Sequence, residues 1–525
     1  MADVKFIQVL LPLKLDWEPF YALPEGTTAQ VGNAVEVTLA GRQYTGIVTA
    51  VDVTPEGIDP KSILTIETSG TSPKVTSSSF SGTTTSSFSG TTTPSFSGLS
   101  RESLSFWRTL ADYYLCTPGE VYKAVIKTEM AKPKRPRKKK EEEPPADQPL
   151  TPEQANALAQ IKAAFAAGKT VLLQGPDREE IYRKLEQETA QNCRTVLHLT
   201  PAKKRLLLEP VKALGLIIVD DEQDPSYKQD SPAPRFSARE AAIMLAKQHG
   251  ANVILGSETP SLESLYNAET GLFAKVQLKQ SSRKETTLIN TSAEARKKGM
   301  SGPFSFKLLE AVNSTLAEGR KVLLVARSKQ AIPECTLEGA VTTFPGGLKT
   351  IRPESFGLIA FLQADALLGK EDFRSDERAL QTLSSLATKA PLIIQTHEPG
   401  HPVFKALLQC QDSTVLLPER RAANLPPFTR LVNLVIRDHS LKRIDYLSKL
   451  LASSVTLGLR AGGLTVLGPY TPAYDGEKDH IRIIRVTLAR DKSLKSRKAA
   501  IYQAVKSFEK QYKYTGHIVI DVDPA

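Results

Sequence analysis

Residues 170–188, TVLLQGPDREEIYRKLEQE, read as a buried apolar strand, a glycine-containing turn and a helix. This is the layout of a phosphate-binding loop, which a later strand ending in acidic residues should complete. LGLIIVDDEQDPSYKQ at 214–229 supplies that strand. The turn itself departs from the pattern. A phosphate cradle needs a run of backbone N–H groups on glycines, a lysine for the β- and γ-phosphates and a hydroxyl for Mg²⁺. Here Gly175 is followed by Pro176, Asp177, Arg178, Glu179 and Glu180. None of the three requirements is met, and three carboxylates stand where a triphosphate would sit.

Outward from this cassette, apolar strands alternate with helices from residue 150 onward: TVLLQ, TVLHLT, LGLIIVD and ANVILGS, then KVLLVA, FGLIAFL and PLIIQT. Such alternation predicts two doubly wound parallel sheets within a multidomain α/β chain. Beyond them, RLVNLVIRD, LTVLGP, HIRIIRVTLA and HIVIDVD, with two intervening helices, predict a separate α+β domain. Upstream, VKFIQVLL, AVEVTL, YTGIVTAV and SILTIE are separated by Gly- and Pro-containing turns and predict a small β-barrel or sandwich. Residues 76–98 repeat SSFSGTTT with a period of eight, marked by Phe80, Phe88 and Phe96, and read as a flexible linker. At 99–130, two short helices flank Thr117-Pro118-Gly119, with Trp107, Leu110, Tyr113 and Tyr114 at helical spacing, a stripe that reads as core. The run KPKRPRKKKEEEPPADQP reads as a charged tether.

Composition sets bounds. The chain has 525 residues, 41% apolar and 24% charged, as in a soluble globular protein of several domains. No window has the roughly 18–20 uninterrupted apolar residues of a membrane span. The N-terminus lacks a basic n-region and a cleavage site, so a cytoplasmic location is expected and a membrane partner is not. A net charge of +11 favours a polyanionic partner. Cys116, Cys193, Cys335 and Cys410 are scattered, and the seven histidines show no ligand spacing, so neither a metal nor a disulfide framework is indicated.

LTPEQ (150–154), the turn at 175–182, IIVDDEQDPSYKQ (217–229), FSARE (236–240) and ILGSETPSLESL (254–265) follow one another in an order that resembles the successive helicase motifs of the primosomal protein N′ (PriA) replication-restart family. ADYYLCTPGEVYKA (111–124) resembles that family's winged-helix signature. QADALLGKEDFRSDER (363–378), IIQTHEPGHPVFKALL (393–408), ERRAANLPPFTRLVNL (419–434) and DVDP (521–524) are similar to later family segments. The resemblance implies a β-rich 3′-DNA-binding domain at 1–70, the linker at 71–100 and a winged-helix-like module at 101–130. The charged Pro-rich linker then occupies 131–149. Degenerate RecA-like helicase lobes follow at 150–275 and 276–415, and a C-terminal α+β domain at 416–525.

The departures bear on function. Asp220, Asp221, Glu222 and Gln223 stand where the family has its DEAH-like box, in which one acid orients Mg²⁺ and the next polarises water. An Asp in place of Glu draws that carboxylate back by ~1.5 Å, and Glu222 is a candidate substitute. LQTLSSLATKAP (380–391) lacks the arginines that the second lobe would use, and an arginine finger is worth about 10³–10⁵ in rate. The family's zinc-binding insertion is missing, Cys335 resembling a single remnant. Gly41 and Arg42 match the family's Gly-Lys turn at a pocket for a free 3′ end, and Lys61 matches its lysine before a β run. Asp16 or Trp17 stands in for an interrupted Phe-Asp pair. The family's C-terminal domain touches single-stranded DNA and associated proteins, which the basic run RDKSLKSRK (490–498) suits.

These features predict a structure-specific DNA-binding protein of replication restart, assembling a primosome at stalled forks or D-loops without helicase activity. Its expected partners are branched or single-stranded DNA and primosome proteins or a replicative helicase loader. No cofactor and no zinc is expected. One alternative is an ATP-dependent 3′–5′ helicase with an atypical site for ATP and Mg²⁺, in which Gln154 reads adenine, Gly175 remains from the loop and Arg178 replaces the lysine. Another is a regulatory paralogue of an intact helicase.

Overall fold

The computed structural model describes residues 5–23, 26–55, 64–65, 99–130, 149–369, 372–458, 464–472, 479–514 and 518–524. Lys61, the phenylalanine-marked repeat at 76–98 and the basic run at 132–140 lie outside the described residues.

The chain opens with a five-stranded sheet in the order β3-β4-β1-β2-β5: β1 (Phe6–Leu10), β2 (Phe20–Ala22), β3 (Ala34–Leu39), β4 (Arg42–Val51) and β5 (Leu64–Thr65). Neighbours are antiparallel except β2 and β5. Side chains alternate, so Ile7, Val9, Val37 and Val48 share one core. α1 (Arg101–Tyr114) begins where the Ser100 hydroxyl accepts from the Ser103 N–H, and α2 (Pro118–Met130) follows it. No strand accompanies these helices among the described residues of 99–130, so no wing is seen there. The aromatic stripe is largely core: Trp107 and Tyr114 are buried, and the Trp107 indole donates to the Leu208 carbonyl at 2.8 Å.

Two parallel five-stranded sheets come next. The first contains β6 (Thr170–Gln174), β7 (Thr195–Leu199), β8 (Leu214–Asp220), β9 (Asn252–Ser257) and β10 (Phe273–Gln277), in the order β10-β6-β9-β8-β7. Its helices are α3 (Pro152–Ala166), α4 (Glu179–Gln191), α5 (Ala238–His249) and α6 (Leu262–Glu269). Strand alternation sends Val171, Leu173, Leu216 and Ile218 to the α3–α4 side, and Leu172, Ile217 and Val219 to the α5 side. Both faces are therefore covered, which explains continuous apolar runs such as LGLIIV.

The second sheet contains β11 (Thr286–Asn290), β14 (Val322–Val325), β15 (Ala340–Thr343), β16 (Leu358–Phe361) and β17 (Leu392–Thr396), in the order β11-β17-β16-β14-β15. A hairpin of β12 (Met300–Ser301) and β13 (Phe304–Ser305) follows α7 (Thr291–Arg296). α8 (Phe306–Ala317) covers one face, and α9 (Ser375–Lys389) with α10 (Pro402–Leu408) the other. Cys335 lies buried in the core beneath α8, among Leu308, Val312 and Leu358.

After α11 (Leu417–Ala422), the chain ends in β18 (Thr429–Asp438), α12 (Leu441–Gly458), β19 (Leu464–Tyr470), β20 (His480–Ala489), α13 (Leu494–Gln511) and β21 (Val519–Val522). This β-α-β-β-α-β order folds into an antiparallel sheet, β19-β20-β18-β21. Both helices pack on one face, with Ile444, Leu451, Ile501 and Phe508 against Val432, Leu434, Ile484 and Val486. That core runs on through α1, α2 and the α5 side of the first parallel sheet. No described helix is long and apolar enough to cross a membrane.

Candidate nucleotide cassette and DNA-facing surfaces

In an open parallel sheet, the turns beyond the carboxyl ends of the strands form the binding crevice. Here β6, β8 and β9 bring together Gly175, Asp220, Asp221 and Ser257. Gly175 has φ +135°, and a Cβ there would lie 2.7 Å from that of Leu278. The chain turns again at Asp177, φ +52°, and enters α4 after Arg178. Arg178 folds back into the space its own loop encloses. Its guanidinium donates to Asp220 Oδ1 at 2.8 Å, to Asp221 Oδ1 at 3.2 Å and to the Gly175 carbonyl. Tyr182, one turn on along α4, donates to the same Asp220 oxygen at 2.7 Å. Burial pushes its phenol well above the usual tyrosine range, so the hydroxyl stays protonated and can donate.

Gly256, the glycine of GSETP, leaves room for this cluster. A Cβ there would come 1.7 Å from the Tyr182 hydroxyl and 2.7 Å from Asp220 Oδ1. Gln154 holds the loop from the other side. Its amide oxygen accepts from the Thr151 N–H at 2.9 Å, and its amide nitrogen donates to the Asp177 carbonyl at 2.9 Å.

The remaining acidic-box residues face elsewhere. Glu222 is buried, accepting from the Ser261 N–H at 2.6 Å and from Arg239 at 2.9 Å. Gln223 accepts from the Ser257 hydroxyl at 2.6 Å. This arrangement does not fit a magnesium nucleotide. The aspartates that would receive the ion already hold a guanidinium, and both ends of the Gln154 amide are engaged. Among the described residues, no group of three His, Cys, Asp or Glu side chains is arranged to hold a metal ion.

Next to the cassette, α9 is fastened to the first turn of α6 and the loop before it. Glu377 accepts the Leu262 N–H at 2.8 Å and pairs with Arg420 at 3.1 Å. Gln381 donates to the Pro260 carbonyl at 3.1 Å, and Arg374 pairs with Glu263 at 2.7 Å. Burial alone would raise the Glu263 carboxyl, but the Arg374 and Arg239 guanidiniums outweigh it and hold it well below the usual range. This helix includes most of residues 380–391, the stretch that lacks the arginines the family's second lobe would use.

At the other end of the chain, Ala40 and Gly41 have φ +50° and +75°, the paired left-handed residues of a tight hairpin between β3 and β4. Nothing lies within 4 Å of a Cβ built at Gly41, and Arg42 is exposed. The β1–β2 loop emerges at the same end of the sheet, since Leu10 pairs with Ile47. Within that loop Asp16 and Trp17 part company. Asp16 accepts from the Tyr502 hydroxyl at 2.5 Å and pairs with Lys506 at 3.1 Å, tying the loop to α13, whereas Trp17 is 58% exposed.

The C-terminal sheet leaves its second face open. One row across it carries Leu467, Arg485 and Asn433, and the next carries Tyr470, Ile483 and Val435. Arg485 donates to Asn433 at 3.1 Å beneath the Tyr470 ring, while Leu467 and Arg437 are exposed. Sequence reasoning did not single out Tyr182, Gly256, Glu377 or this face. Only the i, i+4 spacing of Arg178, the residue that caps α4, and Tyr182 within it offers a local signal.

Residues 8–80 match the family described as the 3'DNA-binding domain (3'BD) of PriA. The chain is 32% identical over 179 residues to the replication restart protein PriA of Bacillus subtilis (strain 168), covering 33% of this chain and 21% of that protein. It is 34% identical over 185 residues to the PriA of Chlamydia pneumoniae, covering 33% and 24%. A longer match, 24% over 421 residues, joins it to the PriA of Haemophilus influenzae (strain ATCC 51907 / DSM 11121 / KW20 / Rd), covering 59% of this chain and 56% of that protein. Across these three matches the chain spans from about a fifth to just over half of the relatives' length.

Proposed function

Because the chain belongs to the PriA family of replication restart proteins, we propose that it binds branched DNA at stalled forks or D-loops. It does so by structure rather than sequence, as a platform for primosome assembly without a nucleotide-driven motor. The observation that carries this reading is the Arg178 guanidinium between Asp220 and Asp221. The positive charge that a family lysine and Mg²⁺ would bring is supplied by the chain itself, so no bound cation is needed to neutralise the acidic pair.

The two parallel-sheet units read as degenerate helicase lobes, and the α9 contacts to the loop before α6 support a body that stays closed. DNA contact falls to the two ends of the chain. At the N-terminal sheet, Gly41 allows close backbone approach, Arg42 offers a phosphate contact and Trp17 a ring for a terminal base. At the C-terminal sheet, Tyr470, Arg485 and Arg437 give an open face of the kind on which single strands stack. Primosome proteins or a helicase loader would be recruited to the DNA-bound form.

Fluorescence anisotropy with forked duplexes tests the reading. A fork with a free leading-strand 3′ end is expected to bind several-fold tighter than one whose 3′ end is blocked, with Arg42→Glu removing most of the difference and ATP changing nothing. Equal binding of both forks by the unmodified protein would contradict it.

A further inference from the structure

We infer that the second parallel-sheet unit carries its own binding site for a nucleoside phosphate, in the crevice beyond the carboxyl ends of β14 and β16. From β14 the chain goes first to β15 on one side and then to β16 on the other, so the strand order reverses there. Ligands of open parallel sheets bind outside such a reversal. A cavity of about 630 Å³ lies at this place, lined by the segments after β14, β15 and β16 and by the first turns of α9.

Its lining has three cations, Arg327, Lys329 and Arg378, and no carboxylate. Arg378 pairs with Asp372 at 2.7 Å, outside the lining. Arg327 and Lys329 are exposed and have no ion pair among the described residues. Phe344 and Leu367 add an apolar wall, and Ser375 adds a hydroxyl. Unpaired positive charge beside an apolar wall suits one chemistry, a phosphate joined to a flat base through a sugar.

The contrast with the other large cavity is one of charge. The cleft of about 690 Å³ between the N-terminal sheet and α13 also has three basic side chains with aliphatic neighbours. There, however, Arg108 pairs with Glu18 at 3.1 Å, Lys506 with Asp16 at 3.1 Å and Lys495 with Asp112 at 3.7 Å. Those charges are already answered within the chain. In the β14–β16 crevice two are not, and the filled cassette of the first unit gives a nucleoside phosphate no competing place.

The nucleoside phosphate has two sources, a free mononucleotide or one unit of a single DNA strand. The site stands apart from the fork-platform reading, since it uses neither Arg42 nor the C-terminal sheet. Calorimetric titrations of the full chain with AMP and with a short oligothymidylate test it. The Arg327→Glu/Lys329→Glu double variant alters only exposed loop side chains, and circular dichroism checks its fold. The variant is expected to lose at least tenfold in affinity for one probe. Loss with AMP identifies a mononucleotide site, and loss confined to the oligonucleotide identifies a strand site. Arg42→Glu should leave AMP binding unchanged. Unchanged affinity of the double variant for both probes, or no AMP or oligonucleotide binding by the unmodified chain, would overturn the inference. A fork that still binds in that case leaves the platform reading standing.

Discussion

Arg178 decides what the cassette can do. Its guanidinium is nearly buried and answers two aspartates, and removing one partner of such a pair leaves the other charge uncompensated. Arg178→Ala should therefore destabilise the protein by roughly 2–3 kcal/mol, a figure reduced for the solvent that reaches Asp221. Urea unfolding measures this, and a neutral outcome would deny the guanidinium its internal role. Gly256 tests the same cluster from its floor. A methyl group there meets the Tyr182 hydroxyl, so Gly256→Ala should cost about 1–3 kcal/mol, as overpacking does. Combined with Tyr182→Phe, which removes the nearest clashing oxygen but leaves Asp220 Oδ1 at 2.7 Å, only part of that loss should return. The sequence made the missing lysine and hydroxyl visible, but not the inward turn of Arg178. That contact joins residues 42 apart, and it depends on β8 and β6 both lying beside β9 in the folded sheet.

Among the elements, α9 and the loop before α6 form the seam between the two parallel sheets. Glu377→Ala removes the acceptor of the Leu262 N–H and the partner of Arg420, whereas Glu377→Gln keeps an acceptor for the amide. Hydrogen exchange at Leu262 should quicken by more than tenfold in the alanine variant and much less in the glutamine variant. Equal, slow exchange in both would show that the seam does not depend on Glu377. Acid response belongs to α5. Burial would raise the Glu240 carboxyl, but Arg239 and Arg430 outweigh it and bring it from 4.5 down to about 2. A carboxylate depressed on folding contributes stability that is complete above its ordinary value and disappears as pH falls through the folded one. The stability advantage over Glu240→Gln should thus shrink by about 3 kcal/mol between pH 5 and pH 2. An advantage that grew with acid would contradict the assignment.

Strands that are long and apolar are legible as elements in the sequence. The cassette strand is an example: TVLLQ is β6 from end to end. What escaped were short or polar edge elements: FYA of β2, FAKVQ of β10, TTLIN of β11 and AVTT of β15. β10, β11 and β15 are edge strands, so each has a neighbour on one side only and needs less apolar surface to hold its place. β2 is a three-residue pairing too short for alternation to register. The candidate DNA residues divide in the same way. A glycine at a hairpin tip is readable from its neighbours, as Gly41 is, whereas the tying of Asp16 to α13 joins residues 486 apart.

At the scale of the molecule, one core runs from the helical pair through the first parallel sheet to the C-terminal domain. Tyr113 hydrogen-bonds Asp523 at 2.8 Å, and the Lys228 ammonium pairs with Asp521 at 2.8 Å. The two ends proposed to meet DNA are therefore held in a fixed relation across the first sheet. Fork affinity should fall at least tenfold between about 50 and 200 mM salt, as about two phosphate contacts require. A salt-independent affinity would remove the phosphate contacts from the account. The most direct test is ATP turnover by the purified full chain with saturating forked DNA. Hydrolysis no faster than background, unchanged by Asp221→Ala, is expected. DNA-stimulated turnover that Asp221→Ala abolishes would contradict it.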